Sequence, residues 1–436
     1  MKNHPKLGFC VIFHKFEENA EKTPQIFEES LQKLKSFHNV EIIPAKHLIK
    51  DSESAIAVGH FFKRRQVDLI CIKLATWSSD NPVLDLSAEC DVPFIFWTYP
   101  HIHAGSLCGG QQFNMVFKEL GKECIFVYRD NKKALKKILR YARVIGLRNS
   151  LKKTKFLQIG SRTQGMSEVI CDEYSVKKIL GPRIETLDLG KFDQLVSDIE
   201  KEEAKKVWNN IISEQIKNSV KPEDGIRASK NYIALRKLLE KKKFDGITIE
   251  CYPDYMGEVC LAFSLLADKG ISCACEGDIN SSVLMYILMT LSGQPVHHID
   301  PLYLYEEGNY MLGSHCGCGS FQLAQDDNLI EFRNVRLANK GVCVIYPSKS
   351  GRVTMANLVG RENTYRMAVL EGDAVETDLE FPGNPIKVKL PVNYDIFLNI
   401  IEEKGIGHHW VIAYGNYSSA LKKLCSLLGI DYISFK

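Results

Sequence analysis

The sequence predicts an α/β protein with two doubly wound α/β domains followed by a C-terminal part that contains an antiparallel β-barrel. Near-continuous apolar segments alternate with amphipathic ones through the first third of the chain and again after about residue 154. This alternation is typical of parallel strands whose two faces are covered by helices. After about residue 298, short β segments follow one another between Gly, Asp and Asn turns, which indicates an antiparallel sheet or small barrel.

The length supports a division into domains. At 436 residues the chain is too long for one ordinary hydrophobic core, so two or three domains are expected. We predict an N-terminal α/β domain at 1–153, a second α/β domain at 154–297 that carries Glu276, and a C-terminal domain at 298–436 with the barrel and a closing α/β segment.

The N-terminal domain is predicted from apolar strands and the helical segments between them. A long basic helix from Lys132 to about Lys153 then leads out of the domain. The predicted strands are Leu7–His14, Val40–Ala45, Asp68–Leu74, Val92–Trp97 and Glu123–Tyr128, and the predicted helices are Lys22–Phe37, Ser54–Arg65 and Gly110–Leu120.

The later elements follow from the same periodicities. In the second domain the strands are Phe156–Ile159, Gly246–Glu250 and Ile271–Cys275, and the helices are Ser167–Leu180, Phe192–Glu202, Lys205–Ile216, Ala228–Lys242, Gly257–Ala267 and Ser282–Leu291. In the third part the strands are Val342–Tyr346, Arg352–Leu358, Arg366–Glu371, Ile386–Leu390 and His409–Tyr414, and the helices are Tyr394–Glu403 and Ser418–Leu428.

The composition narrows the class of protein. Hydrophobic residues make up 45% and charged residues 25%, with a formal net charge of +3, so the sequence offers no reason to expect nucleic acid as a partner. The 14 cysteines are scattered through apolar runs, which is typical of a reducing cytosol. The apolar run Val283–Leu291 is about half of a membrane span. No hydrophobic signal region precedes the first strand. We therefore expect a cytoplasmic protein without a membrane partner.

Glu276 is the first candidate functional residue. It follows the predicted strand Ile271–Cys275 directly, and Asp278 opens the next helix. Parallel α/β sheets bind ligands at the carboxyl ends of strands, next to helix N-termini. Asp278 is also explained as the N-cap of that helix. Capping explains Glu276 less well, because it precedes Gly277 outside the helix.

Asp300 lies 24 positions after Glu276 (300 − 276). The run Pro295–Ile299 predicts a short strand that Pro301 ends, which would place Asp300 at a strand end as well. Asp before Pro is common in turns, so a structural role is the alternative. The pairing with Glu276 favours a functional role.

His315 lies in the glycine-dense segment Leu312–Gly319. The glycines predict a tight loop that backbone or ligand approaches closely. The segment also contains His-Cys-x-Cys, so a thiolate zinc site is an alternative. Zinc normally takes about four N or S ligands, and no second Cys-x-x-Cys accompanies this one.

His408 and His409 follow Gly405-Ile-Gly407 and begin an apolar strand. Successive strand residues point to opposite faces, so only one of the two is expected to reach a metal. Carboxylates with one or two histidines suit Mn²⁺ or Mg²⁺ better than zinc. Such an ion polarises a carbonyl, and two flanking carboxylates can then carry a proton between neighbouring carbons.

These segments resemble the L-fucose isomerase and L-arabinose isomerase superfamily. The match runs through Ala274–Asp278, Pro295–Asp300, Leu312–Gly317 and Gly407–His409. The resemblance implies the three-part architecture and an aldose–ketose isomerase that acts on an open-chain, L-fucose- or L-arabinose-like sugar through a cis-enediol. The chain is shorter than the well-studied fucose isomerases, which indicates a compact branch, and the resemblance does not identify the individual sugar.

The resemblance also implies residue roles. Glu276 and Asp300 would be metal-bound acid/base carboxylates and His409 the third ligand, while His315, His408 and Asp278 are further candidates for contact with metal or substrate. Mn²⁺ is the expected cofactor, with Mg²⁺ or Co²⁺ as alternatives.

The segment Ala104–Gln112, which contains Gln111 and Gln112, resembles a loop that reaches the active site of a neighbouring subunit. This resemblance implies a homotrimer or homohexamer. The alternative is a glycine-rich turn between a strand and a helix.

Two other classes of protein stay open at this point. Another metal-dependent carbohydrate enzyme, a hydrolase or lyase, would need a nucleophile or water-activating base that no motif supplies. A non-enzymatic sugar-binding or regulatory protein would leave the acidic corner and the histidine pair unexplained. It would also be expected to carry an export signal or a DNA-binding segment.

Overall fold

The structure, a computed structural model, describes residues 4–212 and 216–435. The chain divides into two compact units, Met1–Ser150 and Leu151–Lys436. The predicted α/β class is confirmed, because parallel sheets alternate with helices in both units. The further boundary predicted at 297/298 lies within the second unit, and the division into three domains stays a prediction.

The first unit contains one parallel five-stranded sheet in the order β2-β1-β3-β4-β5, an order found in doubly wound folds. Its strands are fully buried at the centre, as the continuous apolar runs predict. The elements are β1 (Lys6–Ile12), α1 (Thr23–Lys35), β2 (Glu41–Pro44), α2 (Ser52–Arg65), β3 (Leu69–Leu74), α3 (Asn81–Glu89), β4 (Phe94–Thr98), α4 (Ser106–Glu119), β5 (Cys124–Tyr128) and α5 (Lys132–Leu151).

Gln111 and Gln112 lie in a helix, as the predicted helix Gly110–Leu120 requires, whereas the loop that the resemblance implies for Ala104–Gln112 does not extend past Gly105. Helix α4 begins at Ser106, and the Gln112 side chain accepts a hydrogen bond from Trp77 Nε1 at 3.1 Å. The glycines permit close packing of this helix on the sheet: a Cβ at Gly110 would lie 2.2 Å from Thr98 Cγ2. Glycines that admit such an approach resemble those of a turn in sequence. The contact with a neighbouring subunit stays a prediction.

We expect Gly110→Ala to destabilise the protein by about 1–3 kcal/mol, because the added methyl group overpacks the contact with Thr98. Urea unfolding followed by circular dichroism measures the change. Gly190→Ala is the matched control, since Gly190 is a helical glycine where a Cβ meets only the Asp188 carboxylate. Equal stability of the two variants would contradict the packing argument.

The second unit contains a parallel sheet in the order β10-β9-β6-β7 and an antiparallel sheet whose pairings close in a ring. The ring runs β15-β18-β11-β12-β17-β16 and returns to β15, with β19 added beside β16. The predicted antiparallel sheet is thus confirmed, and its description as a barrel stays a prediction. The strands are β6 (Lys155–Ile159), β7 (Arg183–Leu187), β8 (Lys217–Asn218), β9 (Gly246–Ile249), β10 (Ser272–Ala274), β11 (His297–Tyr305), β12 (Tyr310–Ser314), β13 (Glu331–Arg333), β14 (Cys343–Ile345), β15 (Gly351–Arg361), β16 (Thr364–Val375), β17 (Ile386–Lys389), β18 (Trp410–Tyr414) and β19 (Asp431–Ser434).

Helix α11 connects the two sheets. Its residues are buried nearly all round, because it contacts β9, β10 and β6 of the parallel sheet and β15, β18 and β11 of the ring. This explains its continuous apolar sequence. The helices of this unit are α6 (Glu173–Ser175), α7 (Leu189–Ser197), α8 (Lys201–Ile211), α9 (Pro222–Lys242), α10 (Cys260–Asp268), α11 (Ile279–Ser292), α12 (Tyr394–Lys404) and α13 (Ser418–Leu428).

Several predicted helices differ from the structure. The predicted helix Phe192–Glu202 runs across the break between α7, which ends at Ser197, and α8, which begins at Lys201. The predicted helix Ser167–Leu180 is broken, because Asp172 accepts hydrogen bonds from the backbone N–H groups of Tyr174 and Ser175 and starts a new turn there. The predicted helix Lys205–Ile216 ends at Ile211, and its residues 213–215 lie outside the described part of the chain. Within the described ranges, no helix has both the length and the apolar content that crossing a bilayer requires.

Candidate active site

Glu276 lies just beyond the carboxyl end of β10, as predicted. Its backbone has φ 65°, in the left-handed region, and Gly277 follows with φ 77°. A Cβ at Gly277 would lie 2.3 Å from the Ser161 carbonyl oxygen, so only glycine fits there. The turn holds a buried carboxylate in a conformation that non-glycine residues rarely adopt, which is characteristic of functional sites.

Asp300 lies within β11 and not at a strand end, so this part of the prediction was wrong. The strand continues to Tyr305 because the pairing with β12 shifts register between Pro301 and Tyr303. A bulge of this kind tolerates a proline that cannot donate a ladder hydrogen bond.

The strand register places two histidines beside Asp300. On one side Asp300 pairs with Ser314, the last residue of β12, so His315 follows directly after the strand. On the other side Ile299 pairs with Trp410, so His409 is the residue that comes next to Asp300. The central strand β11 therefore holds Asp300 between the end of β12 and the start of β18, while α11 begins just after Glu276.

His409 joins the two carboxylate segments. Its Nε2 lies 2.8 Å from Glu276 Oε2 and 3.8 Å from Asp300 Oδ1, and its side chain is only 3% exposed. Its Nδ1 lies 2.8 Å from Asp278 Oδ2. A carboxylate that accepts from one ring nitrogen orients the other nitrogen for a metal or substrate.

Asp278 has both of the roles considered for it. Its Oδ1 accepts from the Ser281 backbone N–H at 2.9 Å, which is the predicted N-cap of α11. Its Oδ2 accepts from the Ser281 hydroxyl at 2.6 Å and pairs with His409. The cap therefore fixes a carboxylate that in turn orients His409.

The charges in the cluster are mutually stabilised. Burial by itself raises the pKa of Glu276, but the hydrogen bond from His409 and the charges of the neighbouring histidines lower it to about 2. Burial lowers the pKa of His409, but its hydrogen bonds to Asp278 and Glu276 raise it to about 10. At neutral pH Glu276 is ionised and His409 carries a proton that a metal would have to displace.

His408 also approaches Asp300, although the alternation of strand residues predicts otherwise. The pair precedes β18, which begins at Trp410, so the two rings face the same side with centroids 4.0 Å apart. His408 Nε2 lies 3.9 Å from Asp300 Oδ1, and His408 Nδ1 contacts the carboxylate of Glu168. Both partners of this last contact are partly exposed, so they link Asp300 to solvent.

His315 is buried, with Nε2 3.9 Å from Glu276 Oε2 and 3.9 Å from Asp300 Oδ2. Its Nδ1 accepts a hydrogen bond from the Cys316 backbone N–H at 2.9 Å. While this bond exists, the neutral ring carries its proton on Nε2, which is not the form that ligates a metal through Nε2. His409 is the stronger candidate ligand, because its Nε2 lies at 2.8 Å from Glu276 Oε2, much closer than His315 Nε2 does.

The sequence reasoning missed His298. This residue is buried between the other rings, with centroids 5.0 Å from His315 and 4.6 Å from His409. Burial and the nearby histidines lower its pKa well below the ordinary value, so the ring is neutral. The signal was available: His298 and Asp300 are two residues apart on one strand and therefore share a face.

The structure brings two cysteines together that the spacing along the sequence did not pair. Cys275 Sγ lies 3.5 Å from Cys318 Sγ, although the two cysteines belong to different motifs. The ligand atoms of Cys275, His298 and His315 lie within 4.8 Å of one another. Spacing along the chain did not reveal this, because β10 and the loop after β12 meet only in the fold.

The oxygen-rich donor set fits a divalent cation. Around an ion with bonds of about 2.1 Å, neighbouring octahedral ligands lie about 3 Å apart and opposite ligands about 4 Å apart. The distances from the carboxylate oxygens of Glu276 and Asp300 to the Nε2 atoms of the three histidines run from 2.8 to 3.9 Å. Among the described residues these donors form two overlapping clusters that share His409, one with Glu276 and His315 and one with Asp300 and His408. Asp300 Oδ1 and His315 Nε2 are buried and have no hydrogen-bond partner among residues 4–212 and 216–435. An ion here would satisfy Asp300 Oδ1.

Comparison with known proteins identifies the reaction class. No family model matches the chain. A sulfoquinovose isomerase of Priestia megaterium is 22% identical over 422 residues, which cover 93% of each chain. An L-arabinose isomerase of Tolumonas auensis is 19% identical over 346 residues, or 74% of this chain and 69% of that enzyme. The chain is accordingly an isomerase that interconverts an aldose and a ketose.

The matches among solved structures are weak. A periplasmic solute-binding protein of Actinobacillus succinogenes with bound D-allose shares 12% identity over 66% of this chain and 92% of its own, with a TM-score of 0.19. A likeness at this level supports no conclusion about fold or function.

Proposed function

We propose that this isomerase is metal-dependent and that Glu276, Asp300 and His409 hold the cation. The observation that carries the proposal is the convergence of these residues from three distant segments on His409 Nε2, which lies 2.8 Å from Glu276 Oε2 and 3.8 Å from Asp300 Oδ1. Each carboxylate forms a possible metal-ligand cluster with His409. Mn²⁺ is the cation we propose, because two carboxylates and one imidazole form a mixed oxygen and nitrogen set. The bound ion would polarise the carbonyl of an open-chain sugar.

The chain's own residues would move the proton. Glu276 and Asp300 both approach His409 Nε2, and in this proposal C1 and C2 of the sugar would be held beside the two carboxylates. One carboxylate would remove the proton from C2 of the aldose while O1 gains a proton, giving a cis-enediol. A proton is then returned to C1 while the O2 hydroxyl loses its proton, so that the C2 carbonyl of the ketose forms and no net proton is gained or lost. His408 and Glu168 connect Asp300 to solvent, so the transferred proton exchanges with water.

The sugar is proposed from the relatives. Sulfoquinovose isomerases match this chain over almost the full length of both proteins, whereas the L-arabinose isomerase matches over a shorter part. Sulfoquinovose is therefore the first substrate to assay, followed by L-fucose and L-arabinose. The subunit contact through Gln111 and Gln112, in a homotrimer or homohexamer, belongs to the same proposal.

Ketose formation from these three sugars in D₂O with Mn²⁺ tests the function. We expect turnover of at least one sugar, with deuterium incorporated at C1 of the ketose. Turnover without solvent deuterium would indicate hydride transfer and would remove the acid/base roles. If none of the three is converted while the protein is folded and metal-loaded, the substrate class is wrong.

The affinity for Mn²⁺ should rise about tenfold per pH unit between roughly pH 6.5 and pH 8.5. His409 has a pKa raised to about 10 and stays protonated through this range, so each metal bound releases one proton. The electron paramagnetic resonance signal of free Mn²⁺ measures the affinity at each pH. An affinity independent of pH would show that His409 Nε2 is not a ligand.

A further inference from the structure

A cavity of about 460 Å³ lies in the second unit, and the candidate active site does not line it. Helices α7 and α9 form two of its walls, and residues 250–258 after β9 form a third. Arg227 and Asn231 are four residues apart on α9, and Leu189 and Asp193 are four apart on α7, so each helix presents one face. Glu276, Asp300 and His409 are not among the residues that line it.

The topology of the parallel sheet favours a ligand at this position. From β6 the chain proceeds to β7 on one side, and from β9 it proceeds to β10 on the other. The chain therefore moves outward through the sheet in opposite directions from β6 and from β9. Open α/β sheets bind ligands at such a point, where the strand order reverses. Glu250 directly follows β9 and accepts from the Ser161 backbone N–H at 2.7 Å, just beyond β6.

Two buried acceptors in the wall lack partners. Asn231 is 3% exposed, and its Oδ1 has no hydrogen-bond partner in the described part of the chain. Glu258 is 7% exposed, and while Oε1 pairs with Arg227 at 2.6 Å, its Oε2 is also without a partner there. Two orphaned oxygens among the lining residues, one from α9 and one from residues 250–258, are costly unless a ligand supplies donors.

The remaining lining combines donors, acceptors and aromatic rings. Four carboxylates face two cations: Asp193, Glu250, Asp254 and Glu258 against Arg227 and Lys340. Tyr252 and Tyr255 supply apolar surface, and the Tyr255 hydroxyl donates to Asp193. Hydroxyl groups both donate and accept, so this mixture suits a polyhydroxylated molecule, while the excess of carboxylates disfavours an anion.

We propose that this cavity binds a neutral sugar or sugar alcohol at a site separate from Glu276, with Asn231 and Glu258 accepting hydrogen bonds from its hydroxyl groups. The proposal does not depend on the isomerase reaction. Cys251, between Glu250 and the lining residue Tyr252, accepts from the Glu276 backbone N–H at 3.4 Å, so the two sites are neighbours across one segment.

Calorimetric titration of the full chain with D-glucitol tests the proposal. We expect Asn231→Leu to weaken this binding about tenfold or more, because it removes an acceptor without changing the volume much. Glu258→Gln places a donor where an acceptor stood and should weaken it as well. Glu276→Gln, which disables the active site, and Asn209→Leu on the exposed face of α8 should leave this binding unchanged.

D-glucitol 6-phosphate distinguishes a neutral from an anionic ligand and should bind about tenfold more weakly or worse. Binding of D-glucitol that both cavity variants retain, or that Glu276→Gln alone removes, would place the ligand elsewhere and overturn the proposal. Absence of binding at millimolar concentration, equal binding of the phosphate, or occupation of the cavity by Mg²⁺ instead would also overturn it. Circular dichroism shows whether each variant is folded. If Asn231→Leu does not fold, the binding measured for Glu258→Gln decides the test.

Discussion

Glu276→Gln is expected to reduce turnover by at least about 10³-fold while the protein stays folded. The amide has nearly the shape of the carboxylate, so packing around the β10 turn is kept. The substitution removes the negative charge of Glu276, which pairs with His409 at 2.8 Å and lies near His315. Because the charge both binds the cation and transfers a proton in our account, the loss should appear in kcat and in metal affinity together.

Glu185→Gln is the matched control for this variant. Glu185 lies on β7 of the same sheet and pairs with Arg183 and Lys242 at the surface. Its activity should equal that of the wild type. Turnover of the Glu276→Gln protein within a few-fold of wild type would show that the acidic corner is not the reacting centre.

Removing the metal is expected to abolish activity, and Mn²⁺ should restore it. Without the cation, His409 Nε2 pairs with Glu276, and nothing polarises the sugar carbonyl. Added Mn²⁺ should also stabilise the folded chain by about 2.7 kcal/mol at a concentration of 100 times its Kd. Activity after exhaustive dialysis against chelator, and the unfolding temperature with and without Mn²⁺, measure the two effects.

His409→Asn separates metal binding from general ion effects. It keeps a polar side chain beside Asp278 but removes the nitrogen that faces Glu276 and Asp300. Its unfolding temperature should not respond to Mn²⁺. Full activity of the chelated wild-type enzyme would contradict the metal requirement itself.

Much of the fold could be predicted from periodicity, because parallel strands buried on both faces are read directly from apolar runs. The strands of the first sheet and the strand before Glu276 were found in this way. The course of β11 through Pro301 could not be predicted. The bulge that accommodates the proline depends on the partner strand β12 and not on local sequence.

The candidate site could likewise be predicted only in part, because several of its contacts depend on which strands are neighbours in the fold. The sequence points to three of its residues for different reasons. Glu276 follows a predicted strand, Asp300 is paired with Glu276 by its spacing, and His409 belongs to a histidine pair at the start of a predicted strand. The joint role of Asp278 as cap and partner of His409 is a contact across 131 positions, which no local pattern contains. His298 and the proximity of Cys275 to Cys318 likewise depend on which strands are neighbours.

The measurement that tests the central claim most directly is the anomalous diffraction signal of manganese from crystals soaked in Mn²⁺. The account predicts one strong peak per chain, within about 2.0–2.6 Å of carboxylate oxygens of Glu276 and Asp300 and of His409 Nε2. A peak at Cys275 and Cys318, a peak elsewhere in the chain, or no peak at saturating Mn²⁺ would contradict it.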